Sequence, residues 1–184
     1  MLSSVICLRQ LDNKVGVAVS SVVHMGPCLV LCLSGLSPSL ETNLLIMVSH
    51  GFVSPIMFKF IYEIYEKVKS RSLILSIGGL KDSIVAQTLW FTLCVSNMGL
   101  PLTINFMGEI NFFFVFFLVS YLMFWVSISM VLLNGIYNIF LFNFLNRKSR
   151  PNLFITGFIK QDSIAHYISF IFFVIFTILL DWAL

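Results

Sequence analysis

The sequence predicts an all-α integral membrane protein: one bundle of about six transmembrane helices, with one helix broken near Pro101 to Glu109. Composition is the first reason. Of 184 residues, 59% are hydrophobic and 10% charged, and the mean hydropathy is +0.99, which leaves too little polar surface for a water-soluble domain. Lipid offers the backbone no hydrogen bonds, so only helices and closed barrels span it. Run length is the second reason. The apolar stretches continue for ~20 residues or more, the length a helix needs to cross, whereas barrel strands alternate over ~10. The third is a single charge. Glu109 is the only formally charged residue between Asp82 and Arg147. A charge at the bilayer centre costs ~2.5–3.5 kcal/mol on insertion scales, so it faces a bundle interior, a partner or water.

The first span is expected over 15–36, after the polar cluster Arg9-Gln-Leu-Asp-Asn-Lys14, with His24 near its middle and Pro27 bending it three residues later. Gly35 to Pro38 makes a turn. The second span, 40–65, opens with Ser39 as an N-cap and Glu41 at the positive end of the helix dipole. It carries Ser49-His50-Gly51 and Pro55, and Lys59, Glu63 and Lys67 share one face near its end. A basic loop (Lys67, Lys69, Arg71, Lys81) broken by Gly78-Gly79 leads to a third span over 81–98, capped from Ser83 and closed by Gly99 and Pro101.

Residues 104–145 are apolar for close to two spans, with a tight turn at Ser120-Tyr121, which predicts helices over 104–119 and 121–145. Asn134 and Asn138, one turn apart, give the latter a polar seam suited to a neighbouring helix. A polar, basic loop (Arg147, Lys148, Arg150, Lys160) precedes a sixth span over 164–181, capped from Ser163, with His166 in its first turn and Trp182 as an interfacial anchor. If every helix crosses in turn, the 9–14 and 67–81 clusters lie on one side and the 146–160 loop on the other. The positive-inside rule then chooses no orientation.

The net charge of +3 is spread over loops, which gives no basic stripe for nucleic acid. Cys7, Cys28, Cys32 and Cys94 form no CxxC pair and read as small packing hydrophobes. His24, Cys28 and Cys32 stack on one face, but steps of ~6 Å keep them from sharing a metal ion. No Gly-rich phosphate loop, nucleophile elbow or HExxH is present. Haem ligation by the two central histidines is a minor reading, since it needs imidazoles at matched depth and room for a macrocycle. Met1 to Leu8 is too short for a secretory signal. The 20 phenylalanines fit an AT-rich organellar genome.

Glu109 reads as a proton-exchanging group on an interrupted helix, where half-helix ends and bare backbone meet an ion or proton path. The alternative is a structural carboxyl hydrogen-bonded to another helix. Imidazoles titrate near pH ~6.5 when unperturbed. Either His24 or His50 alone reads equally well as a helix-to-helix hydrogen-bonding group. Two histidines and a glutamate on three helices point to a hydrated polar path.

Three stretches carry a resemblance: Arg9-Gln-Leu-Asp-Asn-Lys14 leading to Ser20-Ser-Val-Val-His24-Met25; Met47-Val-Ser-His50-Gly51; and Asn97-Met-Gly-Leu-Pro101-Leu-Thr-Ile-Asn-Phe-Met-Gly-Glu109. In order and spacing they resemble the later half of the antiporter-like subunit 4 of mitochondrial respiratory complex I, over residues 9 to about 145. Tyr65-Glu-Lys-Val-Lys-Ser-Arg71 is similar to that family's charged segment.

The resemblance implies the second half of an antiporter-like bundle in the mitochondrial inner membrane. There a row of buried ionisable groups relays protons while a peripheral arm oxidises NADH and reduces ubiquinone. By position, it implies His24 and His50 as two histidines of the row and Glu109 as its terminal acid, with Lys14, Lys59, Asn134 and Asn138 as supporting polar candidates. Related subunits 2 and 5 usually have lysine where Glu109 stands, which favours subunit 4.

No cofactor is expected in this chain; flavin, iron–sulfur clusters and ubiquinone belong to other subunits. The implied partners are lipid, neighbouring antiporter-like subunits and a separate chain carrying the missing N-terminal half with its glutamate and two buried lysines. Leu102 stands where the family often has a second Pro or a Gly. Two other readings are a subunit of a multisubunit cation/proton antiporter and a non-conducting structural membrane subunit.

Overall fold

The computed structural model describes residues 2–78, 80, 84–101 and 103–147. The span expected over 164–181, with His166 and Trp182, and the Ser83 cap lie outside the described residues. Within them the elements are α1 (Leu2–Arg9), α2 (Asn13–Ser34), α3 (Ser37–Val68), α4 (Ile84–Asn97), α5 (Ile104–Val119) and α6 (Tyr121–Asn146).

Local chemistry sets these ends. Gly35 closes α2 in the left-handed region at φ 64. Pro38 sits in the first turn of α3, where no N–H is needed, so the helix begins at Ser37. Ser39, expected as the cap, is the third residue of the helix, and its hydroxyl donates to the Leu36 carbonyl at 2.5 Å. Thr103 caps α5 by accepting from the Phe106 N–H, and Ser120 caps α6 by accepting from that of Met123. The short helix α1 was not among the expected spans. It packs on α2 and α6, and its buried Cys7 thiol donates to the Gly16 carbonyl at 3.3 Å.

Three helices, α2, α3 and α6, are long and apolar enough to cross a membrane. With 14 and 16 residues, α4 and α5 reach only ~21 and ~24 Å at ~1.5 Å per residue, short of a ~30 Å hydrocarbon layer. Their contacts show that they lie end to end. Along α3, Trp90 stacks on Phe60, Asn105 meets Ser49, and Gly108 lies against Ile46. Along α6, Phe91 meets Phe142, Asn97 meets Asn138, and Phe113 and Phe117 meet Phe124. Both series run backwards along the long helix. Thus α4 and α5 form one interrupted crossing, antiparallel to α3 and α6, with the break over 98–103.

This geometry revises the charge map. One crossing instead of two brings Arg147, at the end of α6, to the same side as the end of α3. There the start of α2 is tied to the loop after α3 by an Asp12–Ser72 bridge and by Leu73 N–H donating to the Leu11 carbonyl at 2.7 Å. Lys14 reaches over the rings of Tyr65 and Tyr62, 4.9 and 5.4 Å from their centroids. Arg9, Lys14, Lys67, Lys69, Arg71 and Arg147 therefore share one rim. Glu41 is the sole formally charged side chain at the opposite end among the described residues.

The core has two apolar parts. One, around Phe60, Trp90 and Leu141, lies toward the charged rim; the other, around Leu31, Ile46, Phe112 and Phe116, lies toward the opposite end. A polar layer separates them at the level of the break.

Candidate functional site

The layer is built from five helices. His24 comes from the middle of α2, nearly one turn before Pro27, and His50 from the middle of α3. Asn97 is the last residue of α4, Glu109 lies in the second turn of α5, and Asn134 and Asn138 lie one turn apart on α6. Burial is deep: His24 and Glu109 are each 8% exposed, and Asn138 is fully enclosed.

Two hydrogen-bonded groups face each other. In the first, the Asn134 amide donates one N–H to His24 Nε2 at 3.1 Å and the other to the Asn97 carbonyl at 3.1 Å. Asn138 Nδ2 donates to the Asn134 carbonyl at 2.9 Å, and Asn97 Nδ2 donates to Asn138 Oδ1 at 2.9 Å. An amide nitrogen only donates, so His24 Nε2 is the accepting nitrogen and its ring proton sits on Nδ1. In the second group, Ser49 Oγ donates to Asn105 Oδ1 at 3.1 Å, and Asn105 Nδ2 donates to Glu109 Oε1 at 3.1 Å.

The break supplies a seat for the carboxylate. Gly99 has φ 67, and a Cβ placed on it would lie 2.5 Å from Glu109 Oε2 and 2.6 Å from its carboxyl carbon. Glu109 thus folds back from α5 onto the glycine that ends α4. Between the two groups is a cavity of about 30 Å³, lined by His24, Asn105, Glu109 and Asn134 among apolar walls from Val23, Pro27, Ile46, Phe112, Met130 and Val131. By the ~10–15 Å³ that one water needs, it has room for about two. The His50 ring lies 5.4 Å from that of His24, tilted by 35°.

The structure therefore brings together His24, His50, Glu109, Asn134 and Asn138. It does not bring in Lys14, ten residues and ~15 Å before His24 on α2, or Lys59, nine residues and ~13 Å beyond His50 on α3. Four further participants, Ser49, Asn97, Gly99 and Asn105, were not singled out from sequence. The available signal was the spacing of Asn105 and Glu109, four residues apart and so on one helix face. Cys28, on the His24 face, donates to the His24 carbonyl at 3.5 Å, a packing contact. Among the described residues no group of three His, Cys, Asp or Glu is placed to hold a metal ion.

Chemically, the arrangement sets a carboxyl and an imidazole across a water-sized space. Neutral amides orient both, and a second imidazole stands in contact with the first.

The family described as NADH:quinone oxidoreductase/Mrp antiporter, TM, matches residues 1–134. Curated relatives named NADH-ubiquinone oxidoreductase chain 4 include that of Apis mellifera ligustica, 34% identical over 184 residues, which are 99% of this chain and 38% of that one. The protein of Anopheles arabiensis is 36% identical over 73% of this chain and 58% of its own length. That of Strongylocentrotus purpuratus is 40% identical over 60% and 24%. The chain thus spans less than two thirds of the length of each of these relatives, from 24% to 58%.

Proposed function

The chain belongs to the NADH:quinone oxidoreductase/Mrp antiporter transmembrane family, and from that premise we propose that it is the C-terminal part of subunit 4 of respiratory complex I, relaying protons through Glu109, His24 and His50. It is a multi-pass membrane protein. In this reading it sits in the mitochondrial inner membrane arm, beside the rest of its subunit and neighbouring antiporter-like subunits. NADH oxidation and ubiquinone reduction take place elsewhere in the complex, on flavin and iron–sulfur clusters that this chain does not hold.

The observation that carries the reading is the shared cavity: Glu109, on the interrupted crossing, and His24, on α2, face one water-sized space. A proton leaving the carboxyl crosses by water to His24 and passes to His50 beside it. Because Asn134 donates to His24 Nε2, a proton arriving there displaces that bond. The imidazolium is then satisfied when the Asn134 amide turns to present its oxygen. Asn138 and Asn97 are hydrogen-bonded in series with Asn134, so the turn is transmitted to the end of α4, at the break. This provides a physical link between the proton on His24 and the shape of the interruption that seats Glu109.

Affinity capture from native membranes tests the assignment. A complex I subunit brings down NADH-oxidising activity with flavin and iron–sulfur proteins. Recovery with cation-transport subunits alone would replace this reading by the antiporter one. A non-conducting spacer would tolerate neutral isosteric replacements at both His50 and Glu109.

A further inference from the structure

We propose that Asn105 and Ser49 form a reversible pair of positioning residues that answers to the proton on Glu109: the Asn105 amide donates to the carboxylate, turns over to accept from the protonated acid, and Ser49 satisfies it in either orientation. The pair has this role only if Glu109 gains and loses a proton, as in the relay reading above.

All three side chains are buried; Ser49 is 1% exposed, Asn105 5% and Glu109 8%. Asn105 and Glu109 stand four residues apart on α5, so they meet on one face, and α3 brings Ser49 to the far side of the amide. Ser49 Oγ lies 3.1 Å from Asn105 Oδ1 and 3.0 Å from the Ile46 carbonyl of its own helix. A hydroxyl carries one proton, so it donates to one of these oxygens at a time and keeps lone pairs for a donor.

Each protonation state of Glu109 then finds partners. With the carboxylate ionised, Asn105 Nδ2 donates to Oε1 and Ser49 donates to Asn105 Oδ1, the arrangement in the structure. A proton arriving on Oε1 makes it a hydroxyl, which would face the amide N–H donor to donor. Turning the amide removes that conflict. Asn105 Oδ1 then accepts from the acid, Nδ2 donates to Ser49 Oγ, and Ser49 directs its own proton to the Ile46 carbonyl. The amide stays neutral throughout, and the acid exchanges its proton with the cavity that Glu109 and Asn105 both line. A group that could only donate or only accept at position 49 would leave one orientation bare, and buried polar groups in native proteins are rarely left so. A hydroxyl does both.

The exchange also reaches the second histidine. Within α3 the Ile46 carbonyl is the helical acceptor for the N–H of residue 50, so the Ser49 proton joins the bond that closes the His50 turn. Serine bonding back to such a carbonyl often bends a helix. The proton on Glu109 is thereby felt in the turn that carries His50, by a route separate from the Asn134 amide.

Infrared difference spectra of the intact complex, recorded across a pH step, test the turn. The acid carbonyl band that vanishes in Glu109→Gln belongs to Glu109, and the side-chain amide band that vanishes in Asn105→Leu belongs to Asn105. The expected result is an Asn105 band in the wild-type difference spectrum that is missing from that of Glu109→Gln. Ser49→Ala should shift this band, and Ser49→Thr, which keeps the hydroxyl, should return it toward its wild-type position. Because Ser49→Ala deletes a single oxygen, its shift identifies the amide band even where Asn105→Leu does not assemble. Protons pumped per NADH should fall several-fold in Ser49→Ala, with the complex assembled in normal amount. A Glu109 band with no Asn105 band beside it, or an Asn105 band that persists in Glu109→Gln, would overturn the proposal and leave the relay standing. A wild-type pumping ratio in Ser49→Ala, with pumping lost in Glu109→Gln, would do the same. A difference spectrum without a Glu109 band would remove the relay reading and the pair with it.

Discussion

Glu109 is held by two small or neutral groups, Gly99 beneath the carboxyl and Asn105 on Oε1, and Ser49 from α3 in turn holds Asn105. Replacing Gly99 by alanine adds a methyl where the carboxyl now sits and forces a side chain into the left-handed region, which costs about 1–2 kcal/mol before any overlap is counted. Gly99→Ala is thus expected to lower the melting temperature of the solubilised complex and to reduce pumping together, because the acid is pushed off its seat. Unchanged melting and pumping would mean that the seat is not as described. His24, His50 and Glu109 could be picked out of the sequence because titratable groups are costly in apolar runs. Neutral Asn97, Asn105 and Ser49 raise no such alarm, and Gly99 is noticed only as a helix end. Lys14 was conspicuous as a charge, but its long stem carries the ammonium out to the tyrosines at the rim.

At the scale of elements, the interrupted crossing organises the bundle. Gly108 lets α5 approach α3 closely: a Cβ there would lie 2.7 Å from Ile46 Cγ1. Gly108→Ala should overpack this contact at a cost of about 1–3 kcal/mol, read as a loss of thermal stability, and adding Ile46→Ala should recover part of it. Strictly additive losses would show that the two residues do not meet.

Helix positions were readable because Ser, Gly and Pro punctuate the apolar runs; Ser120 is the cap of α6 as well as the turn before it. The break near Pro101 to Glu109 is expected from sequence, but the runs on either side of it read as two separate spans, and only their contacts to α3 and α6 join α4 and α5 into one crossing. The eight residues of α1 are too few to stand out by periodicity.

At the scale of the bundle, the single interrupted crossing gathers Arg9, Lys14, Lys67, Lys69, Arg71 and Arg147, among the described residues, onto one rim, and the positive-inside rule then assigns that rim to the inner face, the matrix side in the proposed setting. In a variant with Cys32 replaced by Ser, a cysteine at Arg71 should react with an impermeant maleimide only from the inner face, and one at Glu41 only from the outer. The reverse pattern would overturn the orientation. The sequence alone left this open because orientation depends on the number of crossings, and that number depends on how α4 and α5 stack.

The central claim concerns the proton that Glu109 carries. Glu109→Gln preserves the side-chain shape and an oxygen to accept from Asn105, and removes only the ability to give up and take back that proton. The direct measurement is the number of protons pumped per NADH oxidised by the assembled complex carrying this one change. A marked fall, with the complex assembled in normal amount, is the expected result; a wild-type ratio would contradict the role given to Glu109.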